Sequence, residues 1–160
     1  MADTTVNERP SAEMLAHIAK RTAKAARAMG HEPRVAFLSY STFGNPPGHY
    51  LDNIRDAVAL LDAEQVEFEY DGEMAADVAL NMNLMANYPF CRLTGPANIL
   101  IMPGLQSANL SAKLLRELGG DAVIGPMLIG MEKPVQIATM ASTASDLLTL
   151  AVLAGGGIAQ

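Results

Sequence analysis

Two short runs, Val35-Ala36-Phe37-Leu38 and Ile99-Leu100-Ile101-Met102, are wholly apolar and bounded by Pro and Gly, and they limit the folds open to this chain more than any other feature. Apolar runs of this length without polar alternation suit strands buried on both faces, as in parallel sheets. Each is followed, past a Gly/Pro break, by apolar residues at helical spacing. After the first, a loop from Ser41 to Gly48 leads to a stripe of Leu51, Ile54, Ala57, Val58 and Leu61. After the second, Pro103-Gly104 leads to a helix expected over Leu105 to Leu118, ending at Gly119-Gly120. Strand, break and helix in repetition imply an α/β fold in three layers, with a mostly parallel sheet and helices on both faces.

The remaining segments extend the pattern. Pro10-Ser11 opens a first helix, with Ser11 as its N-cap, a stripe of Leu15, Ile18, Ala19, Thr22, Ala23 and Ala26, and a stop at Gly30. The basic residues Lys20, Arg21, Lys24 and Arg27 take its solvated side. Val66, Phe68 and Tyr70 alternate with Glu67 and Glu69, so a strand is expected there, ended by Asp71-Gly72-Glu73. One or two helices are expected over Met74 to Ala86, and an irregular stretch from Asn87 to Ala97. The apolar segment Ala122 to Ile129 is broken by Gly125-Pro126. Pro134 to Ala138 reads as a further strand, and Ser142 or Ser145 caps a last helix reaching about Leu153. Residues 1–10 are expected as a flexible lead-in, 11–155 as one lobe, and 156–160 as a tail.

The chain has 160 residues and a net charge of −6, which argues against general nucleic-acid binding, since phosphate neutralisation needs a basic face. Half of it is hydrophobic and only 18% is charged, a balance that favours packing against a further lobe or another subunit. Cys91 is the single cysteine, so no internal disulfide forms and the composition fits a cytoplasmic protein. No stretch approaches the roughly 18 apolar residues of a membrane span.

Ligands of open α/β sheets bind beyond the carboxyl ends of the strands. Ser39 to Asn45, with Ser41 and Thr42 at its centre, offers hydroxyls and backbone N–H groups for an anion or is an ordinary loop; spacing alone favours the ordinary loop. Asp71 and Glu73, with Asp77 beyond, suit either metal or acid–base work or the capping of the next helix; capping is the favoured reading. Pro103-Gly104 to Asn109, and Thr139-Met140 to Asp146, precede or open helices; presenting N–H groups to phosphate or carbonyl oxygens and simple helix capping are equally good readings of both. His17, His31 and His49 lack zinc spacing, and no phosphate-binding glycine loop or nucleophile elbow is present. Lys113 is either a phosphate partner or a surface lysine.

Five blocks, in order, carry a resemblance: Arg34 to Gly44, Asp71-Gly72-Glu73-Met74, Gly95 to Pro103, Lys113-Leu114-Leu115 with Leu118-Gly119-Gly120, and Ile124 to Gly130 with Lys133-Pro134-Val135. Together they resemble the second half of the phosphate acetyl/butyryltransferase (phosphotransacetylase) family, over about residues 11–155. The opening Ala2 to Asn7 resembles the branch fused behind a malic enzyme. The resemblance implies one of two lobes flanking a cleft, each like a lobe of isocitrate or isopropylmalate dehydrogenase.

In active members an aspartate near the last helix is the base for the coenzyme A thiol, and it matches Asp146. A Ser-Arg pair ahead of it matches Thr139 and Met140, and a tyrosine matches Ala112. Methionine has no donor, and one lost preorganised donor typically costs roughly 10²–10³ in rate. The resemblance therefore implies an acetyl-CoA-binding regulatory lobe with no catalytic residue of its own. Its ligand positions would be Ser41, Thr42, Pro103, Gly104, Asn109, Thr139, Met140 and Asp146. NADP and a divalent metal would belong to a malic-enzyme domain upstream, and the assembly would be a homo-oligomer. An active phosphate acetyltransferase and a purely structural oligomerisation lobe are the alternatives.

Overall fold

The computed structural model describes residues 1–119, 124–140 and 142–156. The tail beyond Gly156, Gly120 and the start of the apolar stretch at Ala122 lie outside them.

Helix α1 (Ala12–Ala28) begins where Ser11 Oγ accepts from Met14 N at 3.3 Å. It ends before Gly30, whose φ of +83° suits a residue without a Cβ. Strand β1 (Arg34–Leu38) follows. A 3₁₀ turn at His49–Leu51 leads into α2 (Asp52–Glu64). Strand β2 is Glu69–Met74, and two short helices, α3 (Ala76–Leu80) and α4 (Met82–Met85), come next. Strand β3 (Ile99–Ile101) precedes α5 (Leu105–Leu118), and α6 (Ala144–Gly155) is last.

The three strands form a parallel sheet in the order β2-β1-β3, so the α/β expectation holds. Side chains alternate across β1. Val35 and Phe37 join Ile99, Ile101, Leu15, Ala19, Ile54 and Leu61 in one core under α1 and α2. Ala36 and Leu38 join Met74, Val78, Met85 and Ala108 in a second core on the other face, under α3, α4 and α5. This is why β1 is apolar throughout: both its faces are covered.

The structure departs from the sequence reading at four places. Asp71-Gly72-Glu73 lies inside β2, and the strand runs on to Met74. Val66 and Phe68 precede it and pack against the first core. The register shifts between Phe37 and Leu38, which pair with Gly72 and Met74, so Glu73 is the extra residue of a β-bulge. Pro134 to Ala138 is not a strand. The cap of α6 is Thr143, neither Ser142 nor Ser145: Thr143 Oγ1 accepts from Asp146 N at 3.2 Å, and Asp146 returns the bond to Thr143 N at 2.8 Å. Residues 1–10, read as a flexible lead-in, carry bonds to β3: Ala2 N donates to Leu100 O and Met102 N donates to Ala2 O, at 2.9 and 2.7 Å.

Candidate functional site

The carboxyl ends of β1 and β2 converge on Glu73, which is 1% exposed. Arg55, reaching over from α2, donates from Nε to Oε2 and from Nη2 to Oε1, both at 3.0 Å. Ser41 Oγ donates to Oε1 at 3.2 Å, and Gly44 N to the same oxygen at 2.7 Å. Thr42 Oγ1 accepts from Ala75 N at 3.0 Å. Ser41 and Thr42 thus face inward, and the loop they belong to is built around the Glu73 carboxylate. Burial alone would raise that carboxyl. The bonds from Arg55 and Gly44, with the attraction of the guanidinium, outweigh burial and hold it below its ordinary value. Glu73 is therefore an anchor inside β2, not a cap for the following helix.

Asp71 is likewise buried and partnered. Its carboxylate accepts from Arg92 N at 2.7 Å and from the Arg92 guanidinium at 3.4 Å. Arg92 also reaches Asp62 at 2.5 Å and lies 4.6 Å over the Tyr70 ring. Asp77 accepts from Val78 N at 3.0 Å, at the start of α3. Among the described residues, no cluster of three His, Cys, Asp or Glu side chains is arranged for a metal ion.

The start of α5 meets the opening segment. Leu105 N donates to Glu8 O at 3.2 Å and Asn109 Nδ2 to Thr4 O at 3.2 Å. Gly104 caps α5 without a side chain, and a Cβ there would stand 3.2 Å from Glu8 O. Pro103 is exposed beside it.

Thr139, Met140 and Asp146 lie ahead of and in the first turn of α6. Thr139 Oγ1 is 3.1 Å from Ser142 Oγ, and Thr139 N donates to the same hydroxyl at 3.0 Å. Met140 is fully exposed. The Asp146 carboxyl is held below its ordinary value, chiefly by the backbone bond from Thr143 and then by that residue's hydroxyl.

A cavity of ≈ 840 Å³ opens between α1, α5, the opening segment and residues 124–139. Thr139, Asn109 and Lys113 line it. Ser41 sits instead at Glu73, Thr42 at Ala75 N, Gly104 at Glu8, and Asp146 at the cap of α6. The sequence positions are therefore spread over separate places. Sequence reasoning passed over Arg55 and the hub it makes. The available signal was a buried-strand acid next to a glycine, which a distant cation must neutralise.

The family described as Phosphate acetyl/butaryl transferase matches residues 1–155. The NADP-dependent malic enzyme of Rhizobium meliloti is 55% identical over 154 residues, covering 96% of this chain and 20% of that protein. The phosphate acetyltransferase of Clostridium acetobutylicum is 32% identical over 95% of this chain and 46% of its own length. A phosphotransacetylase from Streptococcus pyogenes superposes with a TM-score of 0.91 at 34% identity, over 98% of this chain and 48% of that one. The chain thus spans about half of these two transferases and a fifth of this malic enzyme. With the parallel sheet, the two-sided core and the match over nearly its whole length, the chain belongs to the phosphate acetyl/butyryl transferase family.

Proposed function

We propose that this chain is the regulatory lobe of an NADP-dependent malic enzyme, binding acetyl-CoA and performing no acetyl transfer. The observation that carries the reading is at the head of α6. Met140 stands where active relatives are expected to hold a cationic donor, and it offers none. Asp146, at the position of the base, has its carboxylate engaged by Thr143 N and Oγ1 at 2.8 and 2.9 Å. A base held below its ordinary value is poorly matched to deprotonating a thiol. The 55% identity to a malic enzyme supports the same assignment. NADP and a divalent metal would then be bound upstream, where the oxidation and decarboxylation of malate would take place. Acetyl-CoA would regulate by binding one state of the enzyme more tightly than the other.

Exposed Leu147, Leu148 and Val152 on α6 favour a homo-oligomer that covers them, in a cytoplasmic enzyme. A second reading, an active phosphate acetyltransferase, draws on the Thr139 hydroxyl, Asp146 and the 32% identity to such an enzyme.

Calorimetric titration of acetyl-CoA into the full-length protein tests the proposal, alongside an assay for acetyl phosphate formation. Asp146→Asn serves as control, because it keeps an acceptor at the cap and removes the charge. Saturable binding without transfer is the expected result. Turnover would establish the transferase reading, and no binding at all would leave an oligomerisation lobe.

A further inference from the structure

The cavity between α1 and α5 is lined by Asn109 and Thr139, both expected ligand positions, and by Ala112, matched to the family's tyrosine. One of its walls is the opening segment, Met1 to Asn7. That wall is tied down along its length. Ala2 exchanges bonds with Leu100 and Met102 at β3. Asn109 Nδ2 donates to Thr4 O at 3.2 Å, Leu105 N to Glu8 O at 3.2 Å, and Asn53 Nδ2, from α2, to Pro10 O at 2.8 Å. Within the segment, the Asp3 carboxylate accepts from Thr5 N, Val6 N, Asn7 N and Asn7 Nδ2, at 2.7 to 2.9 Å. Hydrogen bonds rather than burial do the holding: of residues 1–10 only Pro10 is buried, and Val6 is 60% exposed. A segment held in this way loses little apolar contact on opening, so a ligand can shift it.

Two contacts join the segment to the ligand positions. The Asn109 amide gives one hydrogen to Thr4 O and keeps its second hydrogen and its carbonyl oxygen for a ligand. At the head of α5, Gly104 offers no side chain, and the first helical N–H, that of Leu105, goes to Glu8 O instead.

We propose that residues 2–10 form a strap whose closure is coupled to acetyl-CoA in this cavity, and that the strap carries the occupancy of the site to the malic-enzyme domain upstream. The proposal rests on the acetyl-CoA reading given above. A ligand seated against Asn109 holds the strap shut, and by linkage a loosened strap weakens the ligand by the same factor. The strap leads into α1, so its opening changes the junction between the lobe and what precedes it.

The test is hydrogen exchange and calorimetry on the full-length protein. Saturating acetyl-CoA is expected to slow exchange of the Thr5, Val6 and Asn7 amides by about tenfold, an ordinary size for coupling between sites. Asp3→Ala releases the four bonds its carboxylate gathers and is expected to weaken acetyl-CoA by about the same factor. Charge alone predicts the opposite: Asp3 lines the cavity with Arg21, Lys113 and Arg116, and its loss favours an anion. Asn53→Ala lies outside the cavity, cuts the anchor at Pro10 and is expected to weaken acetyl-CoA as well. If the wild type does not bind acetyl-CoA, that reading fails and the strap with it. If the wild type binds while exchange at residues 5–7 is unchanged, or if Asp3→Ala binds as tightly or more tightly, the strap alone is overturned.

Discussion

Arg55 grips Glu73 with two parallel hydrogen bonds of 3.0 Å, joining helix α2 to the bulge in strand β2. The pair is asymmetric: the Glu73 side chain is 2% exposed and that of Arg55 is 43% exposed. Removing the arginine strands a buried charge, whereas removing the carboxylate lets the guanidinium turn to water. Glu73→Gln is therefore expected to cost about 2 kcal/mol in chemical denaturation at neutral pH, the scale of bonds to a charged group. The native carboxyl lies below its ordinary value of 4.5, so its stabilisation is present above pH 4.5 and is lost as pH falls through the native value. The gap between wild type and Glu73→Gln should narrow below pH 4.5; a gap that stays constant in acid would refute the assignment.

Gly72, next to the bulge, is expected to tolerate no side chain. Its φ is +150°, and a Cβ there would lie 2.8 Å from both Cβ and O of Phe37. Phe37 is 1% exposed in the first core and has nowhere to move. Gly72→Ala should cost about 3 kcal/mol through backbone strain and overpacking combined. A denaturation midpoint unchanged from wild type would show that the strand can relax.

The head of α6 separates a capping role from a ligand role. Thr143→Ala removes the side-chain half of the capping box and should weaken α6 by about 1 kcal/mol. With only Leu150 buried along α6, the effect should stay local. Hydrogen exchange of α6 amides is expected to quicken by roughly fivefold while that of β1 is unaffected. Quickening across the whole chain, β1 included, would contradict a local cap.

Met140→Arg tests the donor argument directly. Met140 is exposed, so an arginine fits without repacking. In the full-length protein the change is expected to lift acetyl phosphate formation above the wild-type background, by at most the roughly 10²-fold that one preorganised donor supplies. An identical background in both proteins would show that the residue at position 140 does not decide acetyl transfer.

How much of this was legible depends on where the partners lie. The apolar runs around Val35 and Ile99, the Ser11 cap and the stop at Gly30 are local signals, and each leads to the observed element. The continuation of β2 through Asp71 and Glu73 was not legible, because acids in a strand make sense only once Arg92 and Arg55 arrive from elsewhere. Val66 and Phe68 alternate like a strand, yet they serve as packing on the first core before β2 begins. Pro134 to Ala138 has strand-like composition, but strands need neighbours. Beside β3, Ala2 makes an isolated bridge to Ile101. The candidate positions Ser41 and Thr42 were read as facing a ligand because hydroxyls in a glycine-rich loop suit anions. Nothing in that loop announces that the anion Ser41 serves is the protein's own Glu73, or that the Thr42 hydroxyl accepts from Ala75 N.

Tyr70 offers a spectroscopic reading of the edge of the sheet. Burial, and then the bond its hydroxyl donates to Asp62 at 2.5 Å, push its phenol up to about 12 from an ordinary 10.0. The phenol stays neutral while Asp62, held below its ordinary value first by that same bond, carries the charge. A raised phenol contributes stability that is complete below pH 10.0 and is lost as pH climbs through about 12. In an absorbance titration of phenolate, the chain's four tyrosines should include one component near pH 12, and Tyr70→Phe should delete it. Persistence of the late component in Tyr70→Phe would mean that the Asp62–Tyr70–Arg92 cluster does not hold together in solution.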